Sequence, residues 1–141
     1  MRPTTPNSDE GYTLTELLIV LAILSLLVVV IAPRLGSGLS RARSDVAQLR
    51  IERIAAALEL YSLDCGGYPT NDEGLGALIS APSGNTCWRS PYLEGREAIA
   101  DPWGQDFHYA NPGKAGAYDL FSYGADGREG GGGEDADIQR R

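Results

Sequence analysis

Gly11-Tyr12-Thr13-Leu14-Thr15-Glu16 opens a run that stays apolar from Leu17 to Ala32 and is broken only by Ser25. At about 1.5 Å per residue, a helix over Tyr12–Ala32 spans about 30 Å, the thickness of a bilayer's hydrocarbon core. No second segment of the chain has this character. A charge inside such a span costs about 2.5–3.5 kcal/mol near its centre and less toward its ends. Glu16 therefore needs either a shallow place in the first helical turn, where the helix dipole favours a carboxylate, or a cationic partner. A secretory signal would be cut after the apolar run at a small-residue site, and Ala32-Pro33 is a poor one.

Beyond the run, Pro33-Arg34-Leu35-Gly36-Ser37-Gly38 is expected to loosen or kink the helix, since proline lacks a donor and glycine favours flexibility. Leu39, Ala42, Val46, Leu49, Ile54, Leu58 and Tyr61 then follow mostly three- and four-residue steps, with Arg41, Asp45, Arg50, Glu52 and Glu59 on the other side. This reads as an amphipathic helix that ends near Leu63 and packs its apolar face on a small domain. Cys65-Gly66-Gly67-Tyr68-Pro69 stops it.

The remainder is mostly turn and strand. Leu75–Ile79 reads as a short helix or turn, and Pro82-Ser83-Gly84-Asn85, Asp101-Pro102-Trp103-Gly104 and Asn111-Pro112-Gly113 read as turns. Gln105–Ala110 and Ala117–Ser122 form a predicted antiparallel hairpin. So short a sheet cannot bury itself and requires the helix beside it. The fold class is α+β, a long N-terminal helix packed on a small antiparallel sheet.

Composition narrows the chemistry. Of 141 residues, 43% are hydrophobic and these concentrate in the first quarter, so one small domain follows the span. A net charge of −7, with acids gathered near the end, argues against a nucleic-acid surface and permits a cation site. His108, the one histidine, sits between aromatics in a predicted strand; no Gly-x-Ser-x-Gly elbow and no phosphate-binding glycine loop occurs. No enzyme is expected. The tail, Ser122-Tyr123-Gly124-Ala125-Asp126-Gly127-Arg128 through Gly130–Gly133 to Glu134-Asp135-Ala136-Asp137, offers turns and carboxylates without the spacing of an EF-hand. By composition alone it reads as a solvated acidic tail.

The polar leader, the glycine, the aromatic residue and an acid five residues past the glycine resemble the signal of type IV prepilins and type II secretion pseudopilins. Ala57–Asp64, Tyr68-Pro69-Thr70, Glu73-Gly74-Leu75, Asp101-Pro102-Trp103-Gly104, Asn111-Pro112-Gly113 and Asp119-Leu120-Phe121-Ser122 together resemble the G-type major pseudopilins of type II secretion. The resemblance implies a leader at 1–11, a transmembrane and filament-core helix at 12–32, a helical spine at 33–64, a periplasmic head at 65–138 and a tail at 139–141. It implies cleavage between Gly11 and Tyr12 by a prepilin peptidase, methylation of the new Tyr12 amine, and Glu16 as the assembly residue facing that amine. Here the leader carries Asp9-Glu10 where relatives have basic residues, and Tyr12 stands where phenylalanine is usual. Arg34, Arg41 and Arg43 alone would orient the head toward the cytoplasm; the resemblance implies the periplasm.

The resemblance further implies calcium in the acidic loop, with side chains of Ser122, Asp126, Asp135 and Asp137 and backbone oxygens near Tyr123 and Arg128 as ligands. Ala136 separates Asp135 from Asp137, which leaves the choice among Glu134, Asp135 and Asp137 open, and Gln139-Arg140-Arg141 replaces the usual Gly-Asn-Trp. In an exported domain Cys65 and Cys87 face oxidising conditions, which favours a bond closing about 20 residues over two separate buried thiols. The implied partners are further copies of the chain in an inner-membrane-based pseudopilus, minor pseudopilins, the prepilin peptidase and the inner-membrane assembly platform. The competing readings are a type IV pilin or minor pseudopilin, and a monomeric membrane-anchored calcium- or substrate-binding module.

Overall fold

The computed structural model describes residues 12–140, and for 32–37 the backbone alone. The leader, with Gly11, and Arg141 lie outside the described residues. The chain divides after Gly38 into two units, and helix α1, Leu14–Cys65, contributes to both.

In the first unit, Thr13 starts α1 through its side chain. Its Oγ1 accepts the Glu16 backbone N–H at 3.2 Å while its carbonyl accepts from Leu17 N. Thr13-Leu14-Thr15-Glu16 has the sequence of a capping box, and Glu16 sits in the first turn, where the unpaired N–H groups favour an acid. Leu14–Ile31 is long and apolar enough to cross a membrane, and its side chains are exposed throughout. Ser25, the one polar residue in the run, returns its hydroxyl to the Leu21 carbonyl at 2.7 Å, which satisfies it within the helix. The helical backbone continues through Pro33–Gly38, so the stretch expected to loosen or kink the helix does not end it. A proline removes a single N–H from an otherwise propagating ladder, and good helix formers stand on both sides.

In the second unit, α1 buries Ala47, Ile51, Ile54, Ala55, Ala57, Leu58 and Tyr61. All of these except Ala47 form one core with Leu75, Ala77 and Leu78 of a 3-10 turn over Gly74–Leu78 and with Leu93, Ile99, Phe107 and Leu120. The expected inward face is thus half right. Ile54, Leu58 and Tyr61 are buried, whereas Leu39, Ala42, Val46 and Leu49 are exposed. The step from Leu49 to Ile54 is five residues, about 140° around a helix, so the predicted stripe crossed from one face to the other. Gly66, at φ +75°, ends α1 by donating its N–H to the Ser62 carbonyl.

Thr70 and Glu73 close a second capping box ahead of the 3-10 turn. Thr70 N–H and O–H both reach Glu73 Oε2, and Glu73 N–H returns to Thr70 Oγ1. A further 3-10 turn covers Arg96–Ile99 and was not anticipated. The sheet has three antiparallel strands in the order β1 (His108–Ala110), β2 (Asp119–Ser122), β3 (Ile138–Gln139). The hairpin pairs His108 with Phe121 and Ala110 with Asp119. Both its strands are shorter than expected: before β1, Gln105 N–H turns back to Asp101 and Phe107 N–H bonds the Ile99 carbonyl, and before β2 the Ala117 carbonyl accepts from Gly113 N–H within the connecting turn. The Asn111–Pro112 peptide is cis, and Gly113 has no room for a side chain, since a Cβ would lie 2.5 Å from Tyr118 C. β3, two residues long, was not expected; it brings the chain end back against β2.

Tyr109 lies against this core with its hydroxyl donated to the Pro69 carbonyl at 2.8 Å, and burial pushes its pKa up to about 12. Cys65 and Cys87 are joined as a disulfide, with Cα atoms 5.0 Å apart. The bridge fixes the end of α1 to the loop in which Asn85 Oδ1 accepts from Cys87 and Trp88 N–H and Asn85 Nδ2 donates to Tyr61.

Candidate acidic loop and exposed helix face

Two features of the second unit carry chemistry. The first is the outward side of α1. Leu39, Ala42, Val46, Leu49, Arg53, Ala56, Leu60 and Leu63 alternate three- and four-residue steps without a break, and all eight are exposed. That is the spacing of a seam between helices. Asp45, Glu52 and Glu59 line one edge, and Arg43 and Arg50 the other. Among the described residues Asp45, Glu52, Arg41, Arg50 and Arg53 make no ion pair within 4 Å. Arg50 gives Nη1 to the Ala100 carbonyl at 2.6 Å, which leaves its charge uncompensated. The row is therefore apolar at its centre except at Arg53, and oppositely charged at its edges, a pattern that suits a helical partner of matching apolar and charged surface.

The second feature is the loop from Ser122 to Asp137. Gly124, at φ +72°, lets the two ends of the loop meet: a Cβ there would stand 2.6 Å from the Glu134 carbonyl oxygen and 2.9 Å from that of Ala136. Ala125 N–H bonds the Glu134 carbonyl at 2.8 Å. The implied ligands are distributed around this closure as follows. Asp126 Oδ1 accepts the Arg128 N–H at 3.0 Å, and Asp137 Oδ2 accepts the Gly130 N–H at 3.0 Å, so each keeps one carboxylate oxygen outside those bonds. Asp135 is in a 3-10 turn, Gly133–Asp135, and its N–H bonds the Gly132 carbonyl. Glu134 turns toward α1, 3.3 Å from Arg43, which favours the aspartates over it as cation ligands. The Tyr123 ring packs on His108 at 4.6 Å and Phe121 at 4.9 Å. His108 is exposed and stacked on Phe121.

Ser122 is engaged differently. It is buried, gives its hydroxyl proton to Asp101 Oδ2 at 2.7 Å, and accepts the Gly124 N–H at 3.2 Å. Asp101 was read as a turn residue only; its link to Ser122 joins positions 21 apart, which no local pattern reveals. Carboxylates, carbonyls and hydroxyls are the donors that a hard cation such as calcium takes, and the carbonyls crowded at Gly124 fit that chemistry. Among the described residues no group of three or more His, Cys, Asp or Glu side chains is arranged to hold a metal ion. Carbonyl oxygens and water would have to complete the six to eight ligands that calcium takes.

Residues 34–141 match the family model for type II secretion system protein G, and residues 6–32 match the prokaryotic N-terminal methylation motif. The chain is 42% identical over 134 residues to type II secretion system core protein G of Pseudomonas aeruginosa, with 94% of each chain covered. It is 41% identical over 135 residues to the same-named protein of Vibrio cholerae, covering 94% of this chain and 91% of that one. In structure it is similar to the crystallised major pseudopilin of the enterohaemorrhagic Escherichia coli type 2 secretion system, with a TM-score of 0.58, 33% identity, and 75% of this chain and 92% of that one covered. With the methylation motif at its start and the protein G match over the rest, this chain belongs to the type II secretion system protein G family, the major pseudopilins.

Proposed function

We propose that this protein is the repeating subunit of a periplasmic pseudopilus, a structural rather than catalytic role, anchored in the inner membrane by Leu14–Ile31 until it polymerises. The observation that carries the proposal is the unbroken exposed row from Leu39 to Leu63, apolar in the middle except at Arg53 and oppositely charged along its two edges. Apolar surface recovers about 25 cal/mol per Å² when removed from water, so such a row favours a partner of matching pattern. Row packed on row, two copies would close as a dimer; in the pseudopilus the row of one copy would meet a different side of the next, a contact that propagates into a filament.

The leader through Gly11 would be removed and the Tyr12 amine methylated. In an assembled bundle, where α1 helices replace lipid, Glu16 would meet that amine on its own or a neighbouring chain, offsetting the cost of an acid in an apolar core. Calcium would sit in the loop between Ser122 and Asp137, held by Asp126, Asp137 and carbonyl oxygens, with Asp135 next in reach. Its bound charge would stabilise the loop by mass action. Minor pseudopilins and the inner-membrane platform would complete the assembly.

Overproduction of the full chain in cells supplying a prepilin peptidase and a type II assembly platform tests the reading. Filaments recoverable by shearing are expected. A chain that stays monomeric in the inner membrane while the same cells assemble another major pseudopilin would refute it and favour an anchored binding module.

A further inference from the structure

Asp101 and Ser122 are the two buried polar side chains among the described residues of the head, at 4% and 1% exposure, and they are bonded to each other. Asp101 Oδ1 accepts the N–H groups of Trp103 and Gln105, at 3.0 and 2.9 Å. Those two bonds, with Asp101 N–H on the Gln105 carbonyl at 2.7 Å, already close the Asp101–Gln105 turn. Oδ2 is not needed for that turn. Its partner is the Ser122 hydroxyl, at the end of β2 where the acidic loop begins. A buried carboxylate met by neutral donors alone is costly, and the added strong O–H···O⁻ bond is the compensation available here.

Ser122 passes the constraint on. Its proton is committed to Asp101, which leaves its oxygen to accept, and it accepts from Gly124 N–H. Gly124 is the residue against which the carbonyls of Glu134 and Ala136 close. The same turn grips the loop a second time, through Gln105 Nε2 on the Gly124 carbonyl at 3.1 Å. Gln105 Oε1 also stands 2.5 Å from where a Gly127 Cβ would be.

The geometry points to Asp101 as a positioning residue of the cation loop. We propose that Asp101 and Ser122 act as one buried brace that sets the position of Gly124, and that neither side chain touches the cation. The proposal rests on the calcium reading above. It reassigns Ser122, which the family resemblance implies as a side-chain ligand, to a supporting part. Outer supports of this kind typically change metal affinity about 10- to 100-fold when lost.

Calcium titration of the full chain in detergent by calorimetry tests the brace, with Asp101→Asn, Ser122→Ala and the double variant compared with wild type. Asparagine keeps the shape and an oxygen for the turn, but its amide nitrogen only donates, so the strong bond from the Ser122 hydroxyl to a carboxylate gives way at best to a weaker reversed one and the hydroxyl proton loses its acceptor. Each single variant is expected to weaken calcium about tenfold, and the double to be no weaker than the worse single, since both break the same link. Leu58→Ala, which empties part of the core without removing a hydrogen bond of the brace, should lower the melting temperature with the calcium affinity unchanged. Gln105→Ala, which removes only the side-chain grip on Gly124, should weaken calcium about threefold and serves if Asp101→Asn does not fold. An unchanged affinity in Asp101→Asn overturns the proposal, as does an unchanged affinity in both Gln105→Ala and Ser122→Ala. Losses that add in the double variant, the signature of Ser122 ligating independently, overturn it too. Absence of calcium binding by wild type sinks the calcium reading itself, and is told apart because it needs no variant.

Discussion

Leu58 and Leu60 stand two residues apart on α1, one fully buried and the other 55% exposed. Truncating each should therefore damage a different property. Leu58→Ala deletes methyl groups from a packed core that relaxes only in part, costing about 2–5 kcal/mol. For a head of this size that lowers the melting temperature by roughly 10 °C or more. Leu60→Ala together with Leu49→Ala, whose parent leucine is 58% exposed, should change monomer stability by about 0.5 kcal/mol at most for each site. Full burial of a leucine is worth about 1.5–3 kcal/mol, and slightly over half remains to be gained at each position, so the pair forfeits about 1.7–3.4 kcal/mol of association. That corresponds to a roughly 15- to 250-fold weaker subunit contact. Thermal melting of the purified chain and the quantity of sheared filaments give the two readouts. Equal loss of stability in Leu58→Ala and Leu49→Ala/Leu60→Ala would refute the assignment of faces. Wild-type filament yield from Leu49→Ala/Leu60→Ala would refute the exposed row as a contact.

Other perturbations separate the remaining elements. Replacing Cys65 and Cys87 by serine opens a 22-residue separation and should cost about 3 kcal/mol in the chain-entropy account, visible as a lower melting temperature that reducing agent no longer affects. At alkaline pH the unfolded state releases the Tyr109 proton near pH 10 and the folded state only near 12. The folded state thus binds more protons in that window, and stability held below pH 10 is lost as pH rises toward 12. Tyr61, Tyr68, Tyr92 and Tyr118 are raised as well, chiefly by burial except for Tyr68, where the bond to Glu59 comes first. Tyr109→Phe should cost about 0.5–1.5 kcal/mol at neutral pH through its lost bond to Pro69 and give a shallower alkaline decline; an unchanged pH profile would count against the burial effect. Glu16→Ala should abolish filaments while leaving the melting of the head unchanged, and normal filaments from that variant would remove the acid from the assembly mechanism.

The apolar run, the Cys65–Pro69 stop of α1 and the β1–β2 hairpin were readable because each rests on local chemistry or a short period, whereas Pro33 and Gly36 did not end the helix. The inward face of α1 was not, since two apolar rows wind around one helix and the five-residue step from Leu49 to Ile54 joins them. Which row meets the sheet depends on strands far along the chain, between His108 and Gln139. The Thr13–Glu16 pattern is written in the sequence in plain form and locates the start of α1, while the Thr70–Glu73 pattern marks the turn that leads into Gly74–Leu78. β3 is too short to carry an alternating pattern, and it exists because β2 offers it an edge. In the acidic loop, residue types pointed to oxygen ligands. The Arg43 contact that turns Glu134 aside and the Asp101–Ser122 bond span 91 and 21 residues, distances over which no spacing rule operates.

The intact mass of the subunit recovered from sheared filaments bears most directly on whether this chain is a processed pseudopilus subunit. A chain beginning at Tyr12 and carrying one added methyl group is the predicted species. A subunit that retains residues 1–11, or one cut beyond Ala32, would contradict the account.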